Sequence, residues 1–450
     1  MELTILLNDA VSSIQNLEDY YLNQIDSVNE QIELDSQRYK YGVVLEKYFF
    51  SKMFETDDIK ISEQEKEILD SILESCDVQR TEEVGIIQYK IKNQSELEKD
   101  FELNPHKAQS EYSKLIERPQ ILNDSTIIML LVRYEEAISG LLKYLINKYP
   151  VAYLSEKTIT YAEFISMSSD ITDIKERFIE KEVEDIMRQP LSDWYEIFRA
   201  KHKAQFDVKS EEFIKFKEIY YRRNLVVHNQ SIVNEIYLSN VDTELKKGDE
   251  LNIDKSYLKE AFKLTEKIIY NTFWGLKKVS NKPQQLQQIL FDIGFKHMLN
   301  SEWELSEYIY KLLKDEKEQS EAEKICNIIN YWISIKNQDR LDEILKEIQE
   351  FDVSARSGDF KVAKYALLDD HEKVSEILES VINNEIPASY VETWPLFLQY
   401  RETDNYIEFR NSHKELFAVQ DYKPEYLDVD SDEEGILEEF GEQMELVDLI

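Results

Sequence analysis

The stretch DSTIIMLLVRYEEAISGLLKYLINKYP, residues 124–150, decides the fold class. Its apolar residues keep helical spacing along one stripe, through Ile127, Leu131, Ile138, Leu142 and Leu145. An Asp-Ser pair at its start and Pro150 at its end are typical of helix boundaries. We therefore predict a long amphipathic helix that begins near Asn123.

Three more amphipathic segments follow, at about 173–188, 210–226 and 254–278. Four such helices predict a helical bundle over residues 121–280. Only 9 Gly and 8 Pro occur in 450 residues, which favours long helices over turn-rich sheets.

Residues 1–120 are predicted to form a mainly helical N-terminal region with broken periodicity. A capped helix is expected from Ser62, because a glutamate follows three positions later. The segment VGIIQYKIK, residues 84–92, alternates enough for a short strand or one arm of a β-hairpin. This region indicates no function.

Residues 285–420 contain a weak repeat. Leu305, Leu341, Val374 and Tyr406 align at offsets of 36, 33 and 32 residues. This period is typical of helix-turn-helix solenoids such as tetratricopeptide (TPR) repeats, which bind partners on a concave face. We predict an all-α fold in which a TPR-like α-solenoid follows the bundle. A helical domain without true repeats is the alternative.

The net charge of -37 argues against general polyanion binding, so any nucleic-acid contact must be local. Cys76 and Cys326 lie too far apart in the sequence for a disulfide framework or metal motif. No secretory signal is visible, and the apolar run TIIMLLV is too short to span a bilayer. We expect a soluble, cytoplasmic protein that does not associate with membranes.

No motif for a cofactor or a metal is present. Glycine patterns for nucleotide binding are missing, and the histidines lack ligand spacing to acids or cysteines. The last segment, residues 428–450, contains 10 acidic residues and no Lys or Arg. It is predicted to be a disordered, solvated tail, or a short helix that docks on a partner or on the protein's own basic patch.

The stretch YYRRNLVVHNQSIVNEIYL, residues 220–238, concentrates groups suited to catalysis. Between Arg199 and Arg223, eight Lys or Arg outnumber four acids, a local excess of +4 in an acidic chain. Residues in and around this segment are candidate RNA contacts: Arg222, Asn229, Lys215, Lys217, Lys201 and Lys203.

Helix geometry limits how this motif can act. Asn224 and His228 are four residues apart, about 40° around a helix, so they share a face. Arg223 and His228 are separated by about 140°. Their convergence requires the helix to bend or end near Val227, or a second subunit to supply one group.

The motif resembles the HEPN superfamily of helical bundles, in which an arginine precedes a histidine by four to six residues. This chain has Arg223-Asn224-Leu225-Val226-Val227-His228 with Asn229 next, in a four-helix setting. The resemblance covers roughly residues 120–280. It implies a metal-independent endoribonuclease that acts as a homodimer on RNA, frequently as a toxin or an abortive-infection effector against phages.

The residue types suit this chemistry. Histidine titrates near neutrality and can transfer protons, and a guanidinium can stabilise the charge on the reacting phosphate. Asn224 could orient the imidazole or donate to a phosphate oxygen. Glu136, with Glu135, is a candidate to support the arginine, although surface ion pairs are the alternative for both. The alternative for the motif is that Arg223 forms a structural salt bridge and His228 is buried.

Two functions remain open from the sequence. The first is the ribonuclease, in which Arg223 and His228 cleave RNA at a dimer interface. The second is a non-catalytic adaptor that dimerises through the bundle and binds partner proteins through its repeats. In either case a protein partner is expected on the C-terminal repeats or the acidic tail.

Overall fold

A computed structural model of the chain describes residues 2–54, 61–75, 77–83, 86–92, 104–158, 160–161 and 171–417. The acidic tail, residues 428–450, and Cys76 lie outside the described residues. Apart from one two-stranded antiparallel hairpin and two isolated bridges, the regular structure of the described chain is helical. The all-α class and the predicted hairpin arm are confirmed.

Contacts divide the chain into two units. The first contains residues 6–197 and 207–269, and the second contains residues 2–5, 198–206 and 270–450. The elements from the N-terminus to residue 275 are α1 (Leu3–Phe54), α2 (Glu63–Ser75), β1 (Asp77–Glu83), β2 (Ile86–Lys92), α3 (Pro105–Lys148), α4 (Pro150–Leu154), α5 (Ile171–Met187), α6 (Leu191–His202), α7 (Glu211–Asn229), α8 (Glu235–Asn240) and α9 (Lys255–Gly275).

Helix α3 is longer than the sequence predicts. It begins at Pro105, so the predicted start near Asn123 is wrong, and the predicted domain boundary at residues 120–121 falls inside the helix. The Asp-Ser pair that predicts a cap lies in mid-helix, and Asn123 just before it is buried. Its Oδ1 accepts a hydrogen bond from Tyr21 Oη (2.8 Å), and its Nδ2 donates to Ile253 O (2.8 Å). Asn123 therefore ties α3 to α1 and to the segment just before α9.

Helices α1 and α3 run antiparallel. Three pairs of residues in contact fix this direction: Glu46 with His106, Tyr21 with Asn123, and Leu6 with Gly140. On α1 the buried and half-buried positions include a series at alternating steps of four and three residues: Tyr21, Ile25, Val28, Ile32, Asp35, Tyr39 and Gly42. This is the spacing of a coiled-coil seam.

Helix α2 begins as predicted. Glu65 N donates to Ser62 Oγ (3.2 Å), and Ser62 N donates to a Glu65 carboxylate oxygen (2.8 Å). These two bonds form a capping box. Leu69 and Ile72 then pack α2 against the C-terminal part of α1.

The bundle helices α5, α7 and α9 agree with the predicted segments, although α7 continues three residues further than expected. Their core is aromatic. Tyr134 of α3 packs edge-on against Phe216 of α7, with ring centroids 4.6 Å apart, and lies beside Trp194 of α6. The Tyr134 and Tyr195 hydroxyls hydrogen-bond each other at 2.8 Å. This packing holds α7 against α3.

The second unit continues with further helices of at most 17 residues. They are a 3₁₀ turn (Lys277–Val279), α10 (Pro283–Leu299), α11 (Trp303–Lys314), α12 (Glu321–Lys336), a 3₁₀ turn (Leu341–Glu343), α13 (Leu345–Glu350), α14 (Gly358–Leu367), α15 (His371–Val381), α16 (Ala388–Thr393), a 3₁₀ turn (Pro395–Phe397), α17 (Leu398–Arg401), α18 (Asp404–Ser412) and α19 (Lys414–Phe417). Helices α10, α11 and α12 pack in chain order, as do α14 and α15.

Three turns of this unit share one backbone geometry. Ser301, Asp339 and Asp369 each adopt a positive φ, of 61°, 59° and 55°. In each turn the next residue's N–H reaches the carbonyl five residues earlier, as in Glu302 N to His297 O (2.8 Å). This is the Schellman ending of a helix. Of the four aligned repeat positions, three lie on α-helices and Leu341 begins a 3₁₀ turn.

None of the helices in the described part of the chain has a stretch long and apolar enough for membrane passage.

Candidate functional site

The motif lies on α7, which runs through it without a break. Ser210 caps the helix by accepting from Phe213 N (3.2 Å), and Phe213, Phe216 and Ile219 bury one face. The helix ends at Asn229, one residue after His228. Helix α7 therefore does not bend at Val227, and it ends only after His228, so that Arg223 and His228 both lie within the helix.

The turn after α7 is tightly bonded. Gln230 and Ser231 have positive φ of 50° and 61°, and their N–H groups both reach Leu225 O. Asn229 Nδ2 donates to Ile232 O at 2.5 Å. The Asn229 amide, a predicted RNA contact, thus helps to fix the turn beside His228.

Arg223 faces α3. Its Nη2 donates to Glu135 Oε1, and the two side chains are 15% and 28% exposed. The guanidinium carbon lies 5.1 Å from the centroid of the Tyr220 ring. Arg223 Nε is buried and has no hydrogen-bond partner among the described residues. Since the side chain keeps some exposure, an anionic oxygen can approach the guanidinium at its solvent-facing edge but not at Nε.

Of the two candidate glutamates, Glu135 pairs with Arg223 and the predicted supporting residue Glu136 does not. Glu136 instead accepts from Arg133 Nη1 at 3.0 Å and is 59% exposed. Burial raises the pKa of Tyr220 to about 12, and the Glu135 carboxylate adds to this rise. Tyr220 therefore stays neutral at physiological pH and serves as a ring surface for the guanidinium.

Arg222 serves a different network. Its Nε donates to Glu218 Oε1 (2.7 Å), its Nη1 donates to Asn252 O (3.1 Å), and its guanidinium lies 4.2 Å from the Tyr257 ring centroid. Glu218 also accepts from the hydroxyls of Tyr237 and Tyr257, each at 2.7 Å. Burial opposes the charge on Arg222, but Tyr257 and Glu218 raise its pKa overall. The network connects α7 to α8 and α9.

His228 is exposed in the last turn of α7, and Asn224 one turn earlier is half-buried. The alternative of a buried His228 is therefore wrong. The alternative for Arg223 holds in part, since Arg223 does form a salt bridge. Because α7 is continuous, Arg223 and His228 point about 140° apart. One chain alone presents two separate halves of the motif.

The predicted lysine contacts divide into two groups. Lys215 is exposed and bonded to Glu211 (2.6 Å), which raises the pKa of Lys215. Lys217 Nζ lies 5.7 Å from the Tyr221 ring centroid. Lys201 and Lys203, both exposed, belong to the second unit. On α7 itself the lysines are Lys215 and Lys217.

Among the described residues, no group of three or more His, Cys, Asp or Glu side chains is placed to hold a metal ion. Comparison of the chain with family models, with curated proteins and with solved structures found no match.

Proposed function

We propose that this chain is a metal-independent endoribonuclease of the HEPN type, acting as a toxin or as an anti-phage effector. The observation that carries the proposal is the arrangement of α7. Its last turn exposes His228 to solvent, while Arg223 is held by Glu135 and Tyr220 and keeps some exposure.

The residues suit cleavage by the RNA's own 2′-hydroxyl. The 2′-oxygen attacks phosphorus, the bond to the 5′-oxygen breaks, and a 2′,3′-cyclic phosphate remains. His228 transfers the proton that one of these oxygens loses or gains, and Arg223 stabilises the extra negative charge on the phosphate. Asn224, on the same side as His228, orients the imidazole or a phosphate oxygen.

The proposed site needs two copies of the chain. Since Arg223 and His228 point apart on one straight helix, a two-fold axis near the end of α7 would bring Arg223 of one copy towards His228 of the other. This places the reaction at a homodimer interface.

A second function has its own support. Arg223 pairs with Glu135 as an ordinary ion pair would, and the second unit repeats one helix ending in three turns. Both features suit a non-catalytic adaptor that dimerises through the bundle and binds proteins through its repeats.

The test is cleavage of cellular RNA by purified protein, with and without EDTA. His228→Ala should reduce the rate by about 10²–10⁴-fold. The matched control is His106→Ala, because His106 is also exposed, at 82%. We expect cyclic or 3′-phosphate ends and no effect of EDTA. Full activity in His228→Ala, or strict magnesium dependence, would exclude the proposed mechanism and favour the adaptor.

A further inference from the structure

One face of α7 carries a row of groups that the proposed reaction does not fully use. Lys217, Tyr221, Asn224 and His228 follow at steps of four, three and four residues. On a straight helix these steps keep the four side chains within an arc of about 60°, over about 16 Å of length. We call these four residues the α7 row.

Tyr221 is the centre of the row. It is half-buried and packs against the small core formed by Leu225, Val233, Tyr237 and Leu251. Burial raises the pKa of the Tyr221 hydroxyl, with a further rise from Asp193. The small core therefore holds the Tyr221 ring in place, and the hydroxyl stays neutral. Part of the side chain stays in contact with solvent.

Lys217 places a positive charge over this ring. Its Nζ lies 5.7 Å from the Tyr221 ring centroid. Lys215, two residues earlier, points to the opposite side of the helix and is bonded to Glu211. The two lysines of α7 are thus not equivalent.

A cation, an aromatic ring, an amide and an imidazole in one row match the chemistry of single-stranded RNA. Unpaired bases stack on aromatic side chains, and lysines contact the phosphates. A duplex keeps its bases stacked inside, so it could not use the Tyr221 ring. The row ends at His228, which would bring the bound strand to the reacting group.

We propose that the α7 row binds single-stranded RNA, with Tyr221 stacking on a base and Lys217 contacting a phosphate. This inference deepens the proposed function and rests on it for the identity of the polymer. Tyr221 and Lys217 are substrate-binding residues in it, and they take no part in proton transfer.

The test measures the Kd for a short, labelled 2′-O-methyl oligonucleotide, which cannot be cleaved because it lacks free 2′-hydroxyls. Tyr221→Leu should weaken binding by at least about fivefold, whereas Tyr221→Phe keeps the ring and should bind as the parent does. Tyr20→Leu, at a tyrosine that is 60% exposed on α1, is the control. Circular dichroism confirms that each variant is folded.

The charge part is tested separately. Lys217→Met should lower the slope of log Kd against log salt by roughly 0.7, and by more than Lys215→Met does. Asp193→Asn removes a negative charge near Tyr221 that would repel RNA phosphates, so it should tighten binding. An equal effect of the two lysine substitutions would contradict the row.

Two competitors define the ligand. Duplex RNA of the same sequence and polyglutamate should both compete poorly. If either competes as well as the single strand, the inference is overturned. This test can be separated from the test of catalysis. If Tyr221→Leu and Lys217→Met leave the Kd unchanged while cleavage still depends on His228, only the role of the α7 row is refuted. If binding depends on the α7 row but no RNA is cleaved, only the proposed nuclease activity is refuted.

Discussion

Replacing Arg222 by methionine should destabilise the first unit, although its neighbour Arg223 is the proposed functional residue. The substitution removes the donors to Glu218 and Asn252 O and the cation above the Tyr257 ring. Glu218, whose side chain is 21% exposed, then keeps its charge without a cationic partner. An uncompensated half-buried carboxylate is costly.

The size of this destabilisation depends on the hydrogen bonds that Glu218 keeps after the substitution. Breaking a fully buried ion pair costs about 3–5 kcal/mol. Glu218 keeps two tyrosine hydroxyl donors and some water, so we expect a loss of about 2–3 kcal/mol in the free energy of unfolding. For a unit of this size, that loss corresponds to a decrease in Tm of about 4–12 °C.

Thermal unfolding followed by circular dichroism measures this loss. The matched control is Arg223→Met, which breaks a single pair with the more exposed Glu135 and should cost about 1 kcal/mol or less. RNA cleavage should respond in the opposite order, with Arg223→Met the more damaging. A Tm for Arg222→Met equal to that of the parent, or a larger decrease in Tm for Arg223→Met, would refute a structural role for Arg222 and a functional role for Arg223.

Three further predictions concern separate parts of the first and second units. Tyr21→Phe leaves a buried amide oxygen without its donor and should lower the free energy of unfolding by about 1–2 kcal/mol in urea titrations. Burial raises the pKa of Cys326 to about 12. In a Cys76→Ser variant, the Cys326 thiol of the folded protein should therefore react with a thiol reagent at pH 8 about a thousandfold more slowly than that of the unfolded protein. The rate for the folded protein should rise as pH increases. Glu135→Gln should reduce the rate of RNA cleavage by about 10- to 100-fold, because Arg223 would lose the partner that positions it. An equal loss of rate in Glu136→Gln would contradict this prediction.

The sequence predicts the helices well where their apolar stripe is continuous. Helices α5, α7 and α9 were located from periodicity, and the α2 cap from its Ser-x-x-Glu pattern. The long pairing of α1 with α3 was not predicted. Its seam keeps heptad spacing, but Asp35 and Gly42 occupy two seam positions, so the hydrophobic pattern appears broken.

The choice between the two glutamates on α3 shows a similar limit. Glu135 follows Leu131 by four residues and precedes Ile138 by three, so it lies in the apolar stripe that faces the bundle. That spacing favours Glu135 over Glu136 as the partner of Arg223. The Glu218–Arg222 pair follows from its four-residue spacing within α7. Glu135 and Tyr257, in contrast, become partners of Arg223 and Arg222 only when α3 and α9 pack against α7.

The central claim is a catalytic site shared between two copies of the chain. Its most direct test mixes two inactive variants, Arg223→Ala and His228→Ala, after unfolding and refolding them together. Half of the dimers should be mixed, and each of those regains one of its two sites, so about a quarter of the parent activity should return. If both variants form dimers and the mixture cleaves RNA no faster than either variant alone, the shared site is contradicted.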